Sequence, residues 1–395
     1  MSAERDIKAQ VEYQKMVDAV FGVGLVHADL HGTTNHVTGT WSFDNDFDYF
    51  KNNYKRLLEH LKNRFTTQKN KDTFINLVAN MGDEQNWEGN YSELVAYDVL
   101  LNTDYNPRFY LNVDKNVSFS LAQNMGRKGV NYDMFVTGDA YKAYFEIKSF
   151  KDTVGEIVQN SIINKVLDKT EFKGSSVRVL ANYPLDDCEV GYNRHVRDLQ
   201  NELKQHIQEF LVHNLKREEF SSALLPQLSF VIYLDGVRVN SPIREYAPYR
   251  RAENMKDFVI QRYCNKLPYN APFFLVFVNF AWYNHIDTDS FGFNKYLYRS
   301  LARRTFVQYE NVALNKQITE INVNYTGNEM ADFAARKVTG IIFIDDNSIT
   351  NKGYNVYIYT NPNADNKCSG LNSYFNQVMR KAQYKEFDDF EYDNY

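Results

Sequence analysis

The chain has 395 residues, 44% hydrophobic and 24% charged, so it is long enough for a large core and too apolar for general disorder. Its formal net charge is −5, but the closing stretch EFDDFEYDNY alone holds five acids and no base, so the remainder sums to zero and a local basic groove stays compatible with the total. Three cysteines without a CxxC pairing speak against a disulfide framework or structural zinc and fit a reducing cytoplasm; the polar N-terminus does not read as a signal peptide, and the longest apolar run, Ala271–Trp282, is too short to span a bilayer.

Residues 1–80 read as mainly helical. Between 47 and 65 the apolar set Phe47, Phe50, Tyr54, Leu57, Leu58, Leu61 and Phe65 falls on one helical face, with Asp44 or Asp46 as the expected cap. A second short helix is expected over Asp72–Met81. Ahead of both, Leu25–Val37 carries His27, Asp29, His31 and His36, an alternation that would aim three ligands to one side of a strand. No second cluster of ligands stands near it in sequence, so a polar loop with ordinary histidines is the plainer expectation. Gly89–Leu101 is a largely apolar helix with Glu93 placed in its first turn, where a carboxylate favours the positive end of the dipole. A strand over Arg108–Val113 and a loop rich in Asn and Gly follow.

Gly129–Phe150 reads as a β-hairpin turning at Thr137-Gly138-Asp139-Ala140. Val130, Tyr132, Met134 and Val136 share one face of its first strand; Asn131, Asp133 and Phe135 share the other. Ala143, Phe145 and Ile147 share a face of the second strand, opposite Tyr144, Glu146 and Lys148. A symmetric turn pairs Thr137 with Ala140 and Asp133 with Tyr144, which leaves Glu146 diagonal to Asp133, roughly 7–8 Å away at the backbone. Two carboxylates converging from there suit one divalent cation, with a lysine two residues further along the strand.

Beyond the hairpin the pattern predicts a helix over Thr153–Leu167 bearing Gln159, a strand over Ser176–Ala181, and a long helix over Arg194–Lys216 with Leu211 and Leu215 on its buried face. Short apolar runs at Leu228–Leu234, Phe273–Phe280, Gly340–Ile344 and Tyr354–Thr360 suit buried strands that either extend the central sheet or form a second domain. Basic residues cluster between them at Arg244, Arg250-Arg251, Arg299 and Arg303-Arg304. The acidic, aromatic tail reads as a disordered end, with a strand-mimicking plug or a docking peptide as alternatives.

The pattern Glu93 … Asp133-x12-Glu146-Ile147-Lys148, on an α-β-β-β-α-β order, resembles the PD-(D/E)XK nuclease superfamily over roughly residues 89–182. The tripeptide alone is weak: it occurs at Asp6–Lys8, Glu146–Lys148, Glu171–Lys173, Glu202–Lys204 and Asp365–Lys367, and only the second ends a hairpin strand paired with an Asp-bearing one. Tyr132 stands where the family has its eponymous proline. The resemblance implies an α/β (mixed α+β) restriction-endonuclease-like core over 86–190, behind a helical region at 1–85 and ahead of a mixed helix/strand region at 191–385 and the tail at 386–395. It implies Mg²⁺ (or Mn²⁺) held by Asp133, Glu146 and the Ile147 carbonyl, Lys148 handling the attacking water, and Glu93 and Gln159 as accessory catalytic residues. The expected activity is phosphodiester hydrolysis, on DNA rather than RNA, as in restriction or anti-phage proteins, with a homodimer or a partner protein and no membrane. The alternative is a catalytically silent fold used for nucleic-acid binding or as a scaffold. A phosphodiester is anionic and its leaving alkoxide poor, which is why hard carboxylate oxygens holding a divalent cation suit the reaction.

Overall fold

Residues 2–28, 35–83, 86–101, 118–124, 131–137, 142–150, 153–184, 189–239, 271–280, 293–307, 336–350, 353–361 and 364–366, with isolated positions near 250, are the part of the chain described by this computed structural model. They divide into two units: Met1–Phe150 with Val259–Tyr392, and a second built from Lys151–Phe258. The fold is mixed α and β.

The first unit begins with helices α1 (Ser2–Phe21), α2 (His36–Gly39), α3 (Asp48–Arg64), α4 (Gln68–Ala79) and α5 (Trp87–Leu101). In α3 the period of 3.6 puts Phe50, Tyr54, Leu57, Leu58 and Leu61 inside, as the sequence predicts. Its cap differs: Phe47 holds the N-cap position without a side-chain bond, and Asp44 instead pairs with Lys8 at 2.8 Å. Thr67 caps α4, whose first residue Gln68 lies four residues upstream of the expected start. Helix α5 starts at Trp87, so Glu93 falls in its second turn, and the expected stabilisation by the helix dipole, confined to the first turn, does not apply.

Among the described residues six strands form the sheet of this unit, in the order β1 (Ser118–Asn124), β2 (Asn131–Thr137), β3 (Lys142–Ser149), β7 (Phe273–Asn279), β8 (Gly340–Asp346) and β9 (Tyr354–Thr360). β1, β2 and β3 run antiparallel as a meander; β7 lies parallel to β3, β8 parallel to β7, and β9 antiparallel at the far edge. One face (Met134, Val136, Phe145, Ile147, Val276, Ile342) joins the helices α1 and α3–α5 in a single apolar core. On the other face Phe343 stacks between Tyr298, 4.2 Å away on α9 (Phe293–Val307), and Phe277, 5.6 Å away on the next strand. Each such ring removed from water contributes about 1.5–3 kcal/mol, so the paired faces anchor the sheet.

Several expectations need correction. The strand expected at 108–113 lies outside the described residues; β1 occupies part of the stretch that was expected to be loop. The hairpin register is shifted by two: Phe135, not Asp133, faces Tyr144, and Thr137 faces Lys142. A shift of two keeps every residue on its face, and it stacks Phe135 on Tyr144 at 4.4 Å. Tyr132 packs against Tyr144 and Phe273 and does not join the core beside Met134.

The strand expected to complete the α-β-β-β-α-β core, β4 (Val177–Asn182), lies in a separate antiparallel sheet of order β4-β6-β5, with β5 at Arg217–Ser221 and β6 at Ser229–Leu234. The residue span 86–190 therefore crosses from one unit into the other, and the strand beside β3 is β7. In the second unit, α6 (Thr153–Glu156), a π-helical stretch (Ile157–Asn164), α7 (Lys165–Leu167) and α8 (Glu189–Val212) bury Val158, Ile162, Leu199, Leu203 and Ile207 against Phe230 and Ile232. Leu211 and Leu215 are exposed, and Leu215 lies beyond the helix, which stops at Val212 before the chain turns into β5.

No helix among the described residues is long and apolar enough to cross a membrane. One position tests the sheet packing: a Cβ on Gly340 would lie 2.8 Å from Phe274 Cε1 and 2.9 Å from the Tyr359 carbonyl. Gly340→Ala is expected to lower stability by about 1–3 kcal/mol in urea titration, the range for forcing atoms into a packed core.

Candidate functional site

The ladder between β2 and β3 gives out at Met134–Phe145. One step further, where Asp133 stands level with Glu146, the Ile147 amide donates to Asp133 Oδ2 at 2.7 Å. A carboxylate thus takes the place of a ladder carbonyl. Alternation along β3 sends the Ile147 N–H toward β2, and in an extended strand the carbonyl of the same residue points the same way. Lys148 extends over the gap, its Nζ 2.7 Å from Glu146 Oε1 and 3.4 Å from Asp133 Oδ2. Glu146 is fully buried and Lys148 partly exposed, so the ammonium spans the route from the buried carboxylate to solvent.

Helix α5 packs on β3 and brings Glu93 to the same place. Tyr97, one turn on, is fully buried; its hydroxyl lies 2.8 Å from Glu93 Oε2 and 3.0 Å from the Asp133 carbonyl oxygen. A phenol has one hydrogen. Both contacts are hydrogen bonds together only when Tyr97 donates to the carbonyl and a protonated Glu93 donates to the phenol oxygen. The electrostatics agree: burial first, then the Asp133 charge, push Glu93 from its ordinary 4.5 up to about 8, against smaller pulls from the Tyr97 hydrogen bond and Lys148. Burial and Glu93 beside it also hold the Tyr97 phenol well above its ordinary range, so it remains a donor.

Glu93, Asp133, Glu146, Ile147 and Lys148 are therefore brought together. Gln159 is not shown with them: it lies exposed in the second unit and donates to Asn164 at 2.9 Å. Tyr97 was missed, although its spacing of four from Glu93 on a helix is a legible signal. Among the other four tripeptides, Glu171 pairs with Lys204, Glu202 binds Ser222 and the Ala223 amide, and Asp365 pairs with Lys337. They are ordinary polar contacts.

The histidine-rich stretch is described only in part. His27 is exposed, His36 opens α2 behind an Asn35 capping box, and Asp29 and His31 lie outside the described residues. Among the described residues no three His, Cys, Asp or Glu side chains stand together as metal ligands. At the candidate site the donors are two carboxylates and the Ile147 carbonyl, hard oxygens of the kind that Mg²⁺ takes while keeping several waters. That donor set fits the cation. The arginine clusters form no exposed groove where they are described: Arg251, Arg299 and Arg304 are buried. Arg244, Arg250 and the acidic tail lie outside the described residues.

No protein-family model, no curated protein and no solved structure matches this chain. Any functional reading therefore rests on the side chains themselves.

Two outcomes test this geometry. A carboxyl with a folded value near 8 keeps a proton that the unfolded chain loses near 4.5, so its contribution to stability falls as pH rises through that window and levels off above it. Urea titrations from pH 4 to 9 should show this decline, and Glu93→Gln should flatten it and be the more stable protein at pH 8. Tyr97→Phe should cost about 1–3 kcal/mol in the same titrations by leaving buried polar groups unsatisfied.

Proposed function

We propose that this chain is a divalent-cation-dependent nuclease whose reacting centre is Asp133, Glu146 and Lys148. The observation that carries the reading is the position of the Lys148 ammonium, 2.7 Å from one carboxylate and 3.4 Å from the other. A cationic group already fills the space that the two acids share, as a bound divalent ion would. The order α5, β1, β2, β3 with β7 parallel beside β3 supports a restriction-endonuclease-like core, interrupted between β3 and β7 by the second unit. DNA is the expected substrate, and a role in restriction or anti-phage defence follows by analogy alone.

Asp133 and Glu146 would hold the cation with the Ile147 carbonyl. A divalent ion bound there supplies charge neutralisation at the phosphate and a bound water of lowered pKa. Asp133 is oriented for this by the Ile147 amide, and its backbone by Tyr97. Lys148, partly exposed, is the group that orients the attacking water or takes its proton. Glu93, whose pKa burial and the Asp133 charge raise in the cation-free site, serves as a hydrogen-bonding partner of Tyr97 beside the pair.

A specific observation also favours a second reading, a nuclease-like fold used only for binding or as a scaffold. Both carboxylates are already compensated by Lys148, and no three-ligand group stands among the described residues. Calorimetry with Mg²⁺ and Mn²⁺ separates the two: the enzyme reading expects binding that Glu146→Gln removes, the scaffold reading expects none.

The main test is a cleavage screen on plasmid, linear and single-stranded DNA and on RNA. The expected result is Mg²⁺- or Mn²⁺-dependent hydrolysis, reduced at least about 10²-fold in Asp133→Ala and Lys148→Ala with unchanged circular dichroism. Robust cleavage by either variant removes that residue from the mechanism. Silence of the wild-type protein on every substrate would overturn the enzyme reading.

A further inference from the structure

A cleft of about 330 Å³ opens on the helical side of the first unit, lined among others by Arg5, His36, Thr40, Phe43, Phe47 and Ile349. Among the described residues that line it, none is acidic. Its volume lies at the lower end of the range for small-molecule sites, roughly 300–1,000 Å³. Three features of its wall are unexplained by folding.

Phe47 sits at φ 61°, ψ 24°, in the left-handed region that a bulky residue enters at a cost and that glycine or asparagine adopts more readily. Phe47 is also 39% exposed, so part of the side chain stays open to solvent at the cleft. Phe43 meets Phe47 edge to face at 5.7 Å, and the two rings form an aromatic corner. Arg5 lies over Phe43 with its guanidinium carbon 4.5 Å from the ring centre, steadied by Nε donating to Ser42 Oγ at 3.1 Å. No carboxylate pairs with Arg5 among the described residues. An oriented guanidinium with its terminal nitrogens available is suited to a planar, bidentate anion. The strained ring beside it offers a face for stacking.

We propose that this cleft binds a purine nucleoside monophosphate, with the phosphate on Arg5 and the base against the Phe43–Phe47 corner. The chemistry selects this class: one oriented guanidinium with no acid among the described lining residues, two aromatic walls, and a volume suited to one nucleotide. The site is built entirely from α1, the α2–α3 segment and the turn after β8, apart from the carboxylates of the proposed nuclease centre. It stands or falls independently of that activity.

The experiment is calorimetry of the full chain with AMP and GMP, with adenosine and inorganic phosphate in parallel. One nucleotide at least should bind, with adenosine and phosphate each at least about tenfold weaker because each offers half of the contacts. Arg5→Ala should weaken binding about tenfold or more, the scale for a lost charged hydrogen bond. Phe47→Gly should weaken binding about tenfold by removing the stacking face, with an unchanged circular dichroism spectrum. Lys148→Ala should bind as the wild type does. Absence of binding by both nucleotides, equal binding of phosphate alone, unchanged affinity in Arg5→Ala and Phe47→Gly, or loss of binding in Lys148→Ala would each overturn the proposal.

Discussion

The Asp133 carboxylate accepts the Ile147 amide at 2.7 Å, where a regular ladder would present a backbone carbonyl, and the site depends on that substitution. It lets two strands part while leaving no buried amide unsatisfied, a defect that would cost about 1–3 kcal/mol. The gap admits Lys148 from one side, and Glu93 and Tyr97 reach it from α5. Three carboxyl groups meet beside one ammonium. Repulsion among them is relieved in two ways: Lys148 neutralises the pair on the strands, and Glu93 keeps its proton.

The surrounding sheet makes this arrangement rigid. β3 is an interior strand, bonded on one side to β2 and on the other to β7, with apolar residues filling the face toward the helices. Glu146 and Lys148 are thereby held on a backbone with little freedom to shift. Tyr97 ties the helix layer to the same point through the Asp133 carbonyl, so helix and strand positions are linked at the site by one buried hydroxyl.

Much of the site was legible because its signals are local. Alternation with a period of two assigned Asp133, Glu146 and Lys148 to one face, and a register shift of two leaves that assignment intact. Glu93 was legible as a residue but not in its role: the start of α5 at Trp87 removes the dipole explanation, and its partner Tyr97 is evident only once the helix is docked. Gln159 was read from its place on a helix after the hairpin; that helix belongs to the second unit, where Gln159 donates to Asn164.

By itself the sequence determined the helical N-terminal region, the hairpin strands with their faces, and the apolar strands at 273–280, 340–344 and 354–360, because each follows from the spacing of neighbouring side chains. Tertiary structure decided which strands pair. β4 and β7 are both short apolar runs, and nothing in their own residues says that β7 lies beside β3 while β4 joins a separate sheet. Partner choice across more than a hundred residues rests on the packing of whole faces. The raised pKa of Glu93 arises in the same way, from burial and a charge on another element, so only the folded chain contains its cause.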